Sequence, residues 1–254
     1  MTREETLLLG EDHATYGEFV VRTQWSGRTA CGLSPGATSS KPDRHSAKNE
    51  DALLITDESD VTMIAVADGH YGSAASHTLL QRLASLAHPL PRNPIQLLEM
   101  IRESADPAAN GRLVAESTLA VAVWDRRERN GFGASFGDSA VMVLGLDGRP
   151  VTANMKNHHY VNPLDPGTLD PRRAVEFSFL ANPGDLLIVF SDGIDECNYR
   201  RPETSVRPRH LKELWRESQP SPEQFVSEAI RLALAGVDGH PGGEDNIALT
   251  ATLV

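Results

Sequence analysis

The chain has 254 residues, 40% hydrophobic and 23% charged, with a formal net charge of −11. That length fits one large domain with a proper core, in a composition ordinary for a globular protein. The acid excess argues against nucleic-acid binding through the general field of the protein, and no apolar run approaches a membrane span.

In chain order, the Leu7-Leu8-Leu9 run is too short for the apolar core of a signal peptide. Residues 17–26 alternate in part and predict a first strand, in which Trp25, like the preceding Tyr16, reads as a packing residue. Residues 32–47 are rich in Gly, Ser, Pro and Lys and predict a loop. Residues 52–56 and 61–67 predict a hairpin across Asp57-Glu58-Ser59-Asp60. From Gly72 the period changes. Ala75, Leu79, Leu80, Leu83 and Leu86 share a helical face, and Pro89 and Pro91 end that helix. Asn93-Pro94 supplies a cap and a first-turn proline for a second helix through Leu97, Leu98 and Ile101.

A β-rich stretch follows at 117–125, 132–136, 139–146 and 150–155, with Gly137-Asp138 as the hairpin tip between the second and third strands. Residues 173–180 and 185–191 predict another pair, across Asn182-Pro183-Gly184. A helix over 222–236 carries Phe225, Ala229, Ile230, Leu232 and Leu234, and Asp245-Asn246 opens a last strand. Nothing repeats and no linker divides the chain, so residues 1–254 read as one domain. The order implies an α+β fold of antiparallel sheets packed together with helices outside. Cys31 and Cys197 have neither paired spacing nor a thiolate zinc motif, so a reduced, cytoplasmic chain is expected.

Four apolar runs carry carboxylates at one end. Residues 52–56 are entered through Glu50-Asp51, 61–67 exit into Asp68-Gly69, 186–191 exit into Asp192-Gly193, and 247–254 are entered through Asp245. Antiparallel strands set the start of one beside the end of the next, so these ends can meet at one rim, with Asp138 as a further candidate. Crowded carboxylates repel, and buried charge is costly without compensation. A hard divalent cation, or two, bound by oxygen explains the crowding.

Asp-Gly is a common turn pair, and the plain-turn reading is kept for Asp147 and Asp238. Asp68 and Asp192 differ, because each closes a nearly continuous apolar strand that holds its last carboxylate rigidly. The glycine after it leaves a carbonyl bare. His70 follows Asp68-Gly69 and reads either as a surface or packing residue or as a general acid.

These residues, in this order, resemble the metal-dependent protein phosphatase family, the PPM or type 2C Ser/Thr phosphatases, over residues 49–254. The matching segments are Asn49-Glu50-Asp51-Ala52, Val66-Ala67-Asp68-Gly69-His70-Tyr71-Gly72 and Phe136-Gly137-Asp138-Ser139-Ala140. Two more follow: Pro183-Gly184-Asp185 to Ser191-Asp192-Gly193, and Glu244-Asp245-Asn246-Ile247. The resemblance implies a bacterial-type α/β/β/α four-layer sandwich with a site at one edge. It implies that Asp68 bridges two Mn²⁺ or Mg²⁺ ions, that Asp192 and Asp245 complete one, and that Glu50 and the Gly69 carbonyl hold the other. Asp51 and Asn246 would stand behind these ligands, and Asp138 with Asp192 would hold a weaker third ion. The implied reaction is hydrolysis of phosphoserine or phosphothreonine in a protein substrate by a metal-bridging hydroxide. Asp68 and Asp192 would act in catalysis, with His70 protonating the leaving oxygen. A monomeric signalling enzyme without membrane or nucleic-acid partner is expected.

Three positions depart from the family pattern. The arginine that grips the phosphate is replaced by Ser46, leaving Arg44 and Lys48 as the basic residues in reach, and a lysine lacks the bidentate fork. The usual Asp-His-Ser segment reads Asn157-His158-His159, and a short stretch before Pro183 implies a modest flap. Ser46 motivates an alternative, a non-catalytic or weakly active regulatory module that binds phosphoprotein. A hydrolase of small phosphate esters is a third reading.

Overall fold

The computed structural model describes residues 3–38, 48–105, 115–146 and 150–254. Two six-stranded antiparallel sheets face each other. The first has the order β1 (Arg3–Leu9), β4 (Ala52–Glu58), β5 (Val61–Ala67), β8 (Leu119–Asp125), β9 (Asn130–Phe136) and β12 (Val175–Leu180). The second has the order β11 (Pro150–Thr152), β10 (Ala140–Leu144), β13 (Leu186–Phe190), β14 (Ile247–Leu253), β3 (Thr29–Ser34) and β2 (Val20–Gln24). A short pair, β6 (Gly69–His70) with β7 (Glu116–Ser117), stands at the rim.

Helices α1 (Ala74–Leu86) and α2 (Pro94–Glu103) cover the first sheet. Helices α4 (Pro208–Ser218) and α5 (Pro222–Ala235) cover the second, and the one-turn α3 (Asp192–Asp195) follows β13. This is the expected four-layer α/β/β/α arrangement.

The continuous apolar runs follow from burial on both faces. Along β5, Val61, Met63, Ala65 and Ala67 face α1 and α2, whereas Ile64 and Val66 face the other sheet. Along β13, Leu186, Ile188 and Phe190 face the second helix layer, whereas Leu187 and Val189 enter the space between sheets. The helix caps follow local chemistry: the Asn93 side chain accepts from Gln96 N, and the Ser221 side chain accepts from Gln224 N.

Two predicted hairpins are not hairpins. β9 pairs with β8 and β12 in the first sheet, while β10 pairs with β11 and β13 in the second, so Gly137-Asp138 is a crossover between sheets. Likewise β12 and β13 lie in different sheets on either side of Asn182-Pro183-Gly184. The turn residues bend the chain in either case; only long-range pairing decides which sheet the next strand joins. The predicted loop at 32–47 begins too early, since residues 32–34 end β3, and its residues 39–47 lie outside the described residues. The predicted strand at 150–155 ends at Thr152.

Elements that were not anticipated include β1, the two-residue β6, the one-turn α3 and α4. Trp25 does not enter the core. It lies between two guanidinium groups, with Arg126 at 3.9 Å and Arg28 at 4.5 Å from its ring centroid. The outer strands are β1, β12, β2 and the three-residue β11; Glu4 and Glu5, Glu176 and Arg22 stand exposed on the first three.

Candidate metal centre

Pairing of Ala52 with Ala67 brings the entry of β4 beside the exit of β5, so Glu50 and Asp51 lie next to Asp68. The Asp68 backbone is fixed from both sides: its N–H donates to Thr118 Oγ1 at 3.0 Å, and its carbonyl accepts from Thr118 N and Ser117 Oγ, both at 2.9 Å. Thr118 Oγ1 also shares a 2.7 Å hydrogen bond with Ser139 Oγ, beside Asp138.

Side chains stitch the two sheets together at this rim. Ser191, directly before Asp192, donates to Asp51 Oδ2 at 2.8 Å and accepts from Ala248 N at 2.9 Å. Asn246, directly after Asp245, accepts from Glu50 N at 2.9 Å and donates to Lys48 O at 2.9 Å and Pro35 O at 3.1 Å. Two glycines are sterically required. A Cβ on Gly193 would lie 1.7 Å from Asn246 O, and one on Gly69 would lie 2.6 Å from Glu50 O.

The outcome is a group of three acids. Asp68, Asp138 and Asp192 each place a carboxylate oxygen within 4.8 Å of the others. Asp68 and Asp192 are buried, and Asp138 is half-buried with a buried Oδ1 that has no hydrogen-bond partner among the described residues. An orphaned buried carboxylate oxygen in an all-oxygen acid cluster suits a hard cation. Glu50, Asp51 and Asp245 are also buried at the rim but fall outside that group of three. Asp138, expected only for a weaker ion, thus stands in the tightest cluster.

The other sequence candidates are placed as follows. His70 pairs with Glu116 across β6 and β7; its Nε2 lies 3.8 Å from Asp68 Oδ2 and its Nδ1 3.8 Å from Glu116 Oε1. Lys48 is exposed, with its ammonium 5.8 Å from the Tyr16 ring centroid. Arg44 and Ser46 lie outside the described residues.

Asn157 stands where the family pattern has an aspartate, and its Oδ1 accepts from Gly137 N at 2.8 Å and His159 N at 2.9 Å. Sequence reasoning missed Tyr160 and Lys156. The Tyr160 hydroxyl donates to Asp138 Oδ2 at 3.2 Å, and burial with the Asp138 carboxylate pushes that phenol up, so it stays a donor. Lys156 reaches Asp195 at 2.8 Å; burial opposes its charge, but Asp195, Asp192 and Glu196 outweigh burial and raise its pKa. No periodicity or spacing marks either residue.

A profile of the Protein phosphatase 2C family matches residues 42–234. The chain belongs to the protein phosphatase 2C family. It is a metal-dependent serine/threonine phosphatase domain by that membership, as its motifs implied. The matched stretch stops short of Asp245 and Asn246. No curated protein matches the sequence.

Solved phosphatase structures share the fold. The catalytic domain of the serine/threonine phosphatase PstP with two manganese ions is 19% identical, with a TM-score of 0.64, covering 93% of this chain and 100% of that one. The PPM Ser-Thr phosphatase MsPP from Mycobacterium smegmatis with cacodylate is 17% identical, with a TM-score of 0.62 and coverage of 95% and 100%. RsbX with magnesium is 12% identical, with a TM-score of 0.62 and coverage of 92% and 100%.

Proposed function

We propose that this phosphatase 2C domain hydrolyses phosphoserine and phosphothreonine in a protein substrate, at a centre of Mn²⁺ or Mg²⁺ ions gathered by Asp68, Asp138 and Asp192. The convergence of those three carboxylates within 4.8 Å carries the reading. Asp245, Glu50 and the Gly69 carbonyl complete the ligand set. Asp51 and Asn246 hold it in place through Ser191 and the Glu50 backbone. Bound divalent cations supply an acidified water and neutralise phosphoryl charge.

The chain's own residues do the rest. Asp68 and Asp192 arrive on rigid strand ends, so the ligand geometry is set before metal or substrate arrives. His70 delivers a proton to the departing serine or threonine oxygen. Arg44 and Lys48 attract the phosphate in place of the family's arginine. Among the described residues no helix is long and apolar enough to cross a membrane. Cys31 and Cys197 are free and buried, and burial pushes the Cys31 thiol up to about 12, which makes it inert. Free, unpaired thiols fit a reducing compartment, and a monomeric cytoplasmic signalling enzyme is part of the same proposal.

The test is Mn²⁺-dependent phosphate release from a phosphoserine peptide, with loss in Asp192→Asn. Ser46 favours the second reading, a phosphoprotein-binding module. Calorimetrically bound Mn²⁺ without turnover would sink the enzyme and leave that module. Release from metabolite phosphates but not from peptides would sink the protein substrate.

A further inference from the structure

We infer that Tyr160 is a positioning residue for His70, packing its ring so that the imidazole faces the leaving group. The inference rests on the general-acid reading of His70. The two rings lie 4.6 Å apart, centroid to centroid, at an interplanar angle of 58°. That is close tilted packing of the kind aromatic pairs favour. The carboxylates beside the imidazole, Asp68 and Glu116, stand at 3.8 Å, beyond hydrogen-bonding length. The Tyr160 ring thus packs directly against the imidazole.

A positioning residue must itself be held, and Tyr160 is held at three points. Before it, Asn157 clamps the crossover loop, donating from its N–H to Gly137 O and accepting Gly137 N on Oδ1, both at 2.8 Å. After it, Val161 exchanges two 2.8 Å backbone hydrogen bonds with Ser117 on β7, the strand that also carries Glu116 opposite His70. At its tip, the hydroxyl is tied to Asp138 Oδ2 at 3.2 Å. The segment 157–161 thus bridges the Asp138 crossover and the His70 strand pair, and Tyr160 touches both.

A general acid matters only when the leaving oxygen needs a proton. The informative quantity is therefore the ratio of kcat/KM on a phosphoserine peptide to that on p-nitrophenyl phosphate, whose phenolate departs unaided. His70→Ala should lower the ratio by about 10²–10⁴-fold, the range of a general acid. Tyr160→Leu should lower it by about tenfold or more, a fraction of the same contribution. Tyr160→Phe keeps the ring and should keep the wild-type ratio, and the double variant His70→Ala/Tyr160→Leu should fall no lower than His70→Ala alone.

In metal-free protein, the His70 ring resonances should shift in Tyr160→Leu but not in Tyr160→Phe. Tyr160→Gln repeats the comparison if the leucine variant misfolds. A drop that is equal on both substrates in Tyr160→Leu would show a merely structural role and overturn the inference, as would an unchanged ratio beside a lowered one in His70→Ala. An unchanged ratio in His70→Ala itself would instead remove the general-acid reading on which the inference stands.

Discussion

Replacing Asn246 by alanine tests whether side chains at the rim hold the two sheets in register. The side chain is buried and makes three hydrogen bonds, to Glu50 N, Lys48 O and Pro35 O. At a net contribution of about 1 kcal/mol each, their loss costs about 3 kcal/mol. For a domain of this length that lowers Tm by roughly 6–12 °C, since each kcal/mol shifts Tm by about 2–4 °C. Asn246→Asp keeps an acceptor for Glu50 N but turns an oxygen toward the Lys48 and Pro35 carbonyls, and should cost at least as much. Urea unfolding measures the change as a shift in midpoint at constant slope. A loss below about 1 kcal/mol in both variants, less than one ordinary hydrogen bond, would refute the strut.

Gly193→Ala would drive a methyl group into the Asn246 carbonyl at 1.7 Å, a backbone neighbour that cannot rotate away. We expect a loss at or above the usual overpacking cost of about 1–3 kcal/mol by thermal denaturation, and an unaltered melt would contradict the geometry. His77 accepts Gly10 N–H on Nε2, and burial lowers its pKa from 6.5. The unfolded histidine takes up a proton near that value and the folded one resists it. Its contribution is therefore complete above 6.5 and fades as pH falls through 6.5 toward the folded pKa. His77→Gln should flatten this part of the stability profile, and an identical slope in wild type and variant would argue against it. Mn²⁺ at about 100 times its Kd should stabilise the wild type by about 2.7 kcal/mol, reversed by a chelator. Asp192→Asn and Asp138→Asn should lose most of that gain; an equal gain in either variant would exclude its carboxylate from the centre.

Much of the fold was legible because its signals are local. Strands buried on both faces read as unbroken apolar runs, and Asn93 caps α2 with its own side chain. The carboxylates of the rim were legible for a related reason: Asp68 and Asp192 each terminate such a run. Sheet membership was not legible. Gly137-Asp138 and Pro183-Gly184 bend the chain identically whether the next strand stays or crosses, and pairing over long separations decides. β1 carries three consecutive leucines, which conceal its alternation: Leu7 and Leu9 pack toward α1 and α2, and Leu8 toward the other sheet. Tyr160 and Lys156 belong to irregular backbone, where no period exists to mark them, and their roles emerge only from contacts with Asp138 and Asp195.

The open sides of the sandwich bear on its behaviour in crowded solution. Among the described residues each outermost strand has one edge with no partner strand in its sheet, and such an edge is where cross-β stacking begins. Here Glu4 and Glu5 on β1, Glu176 on β12 and Arg22 on β2 would have to lose water before a copy could add itself there, and β11 is too brief to act as a template. Concentrated stocks should accordingly resist fibril growth. Exchanging Glu4 and Glu5 for valine would remove the guard from the longest of these borders, and thioflavin fluorescence would register the result.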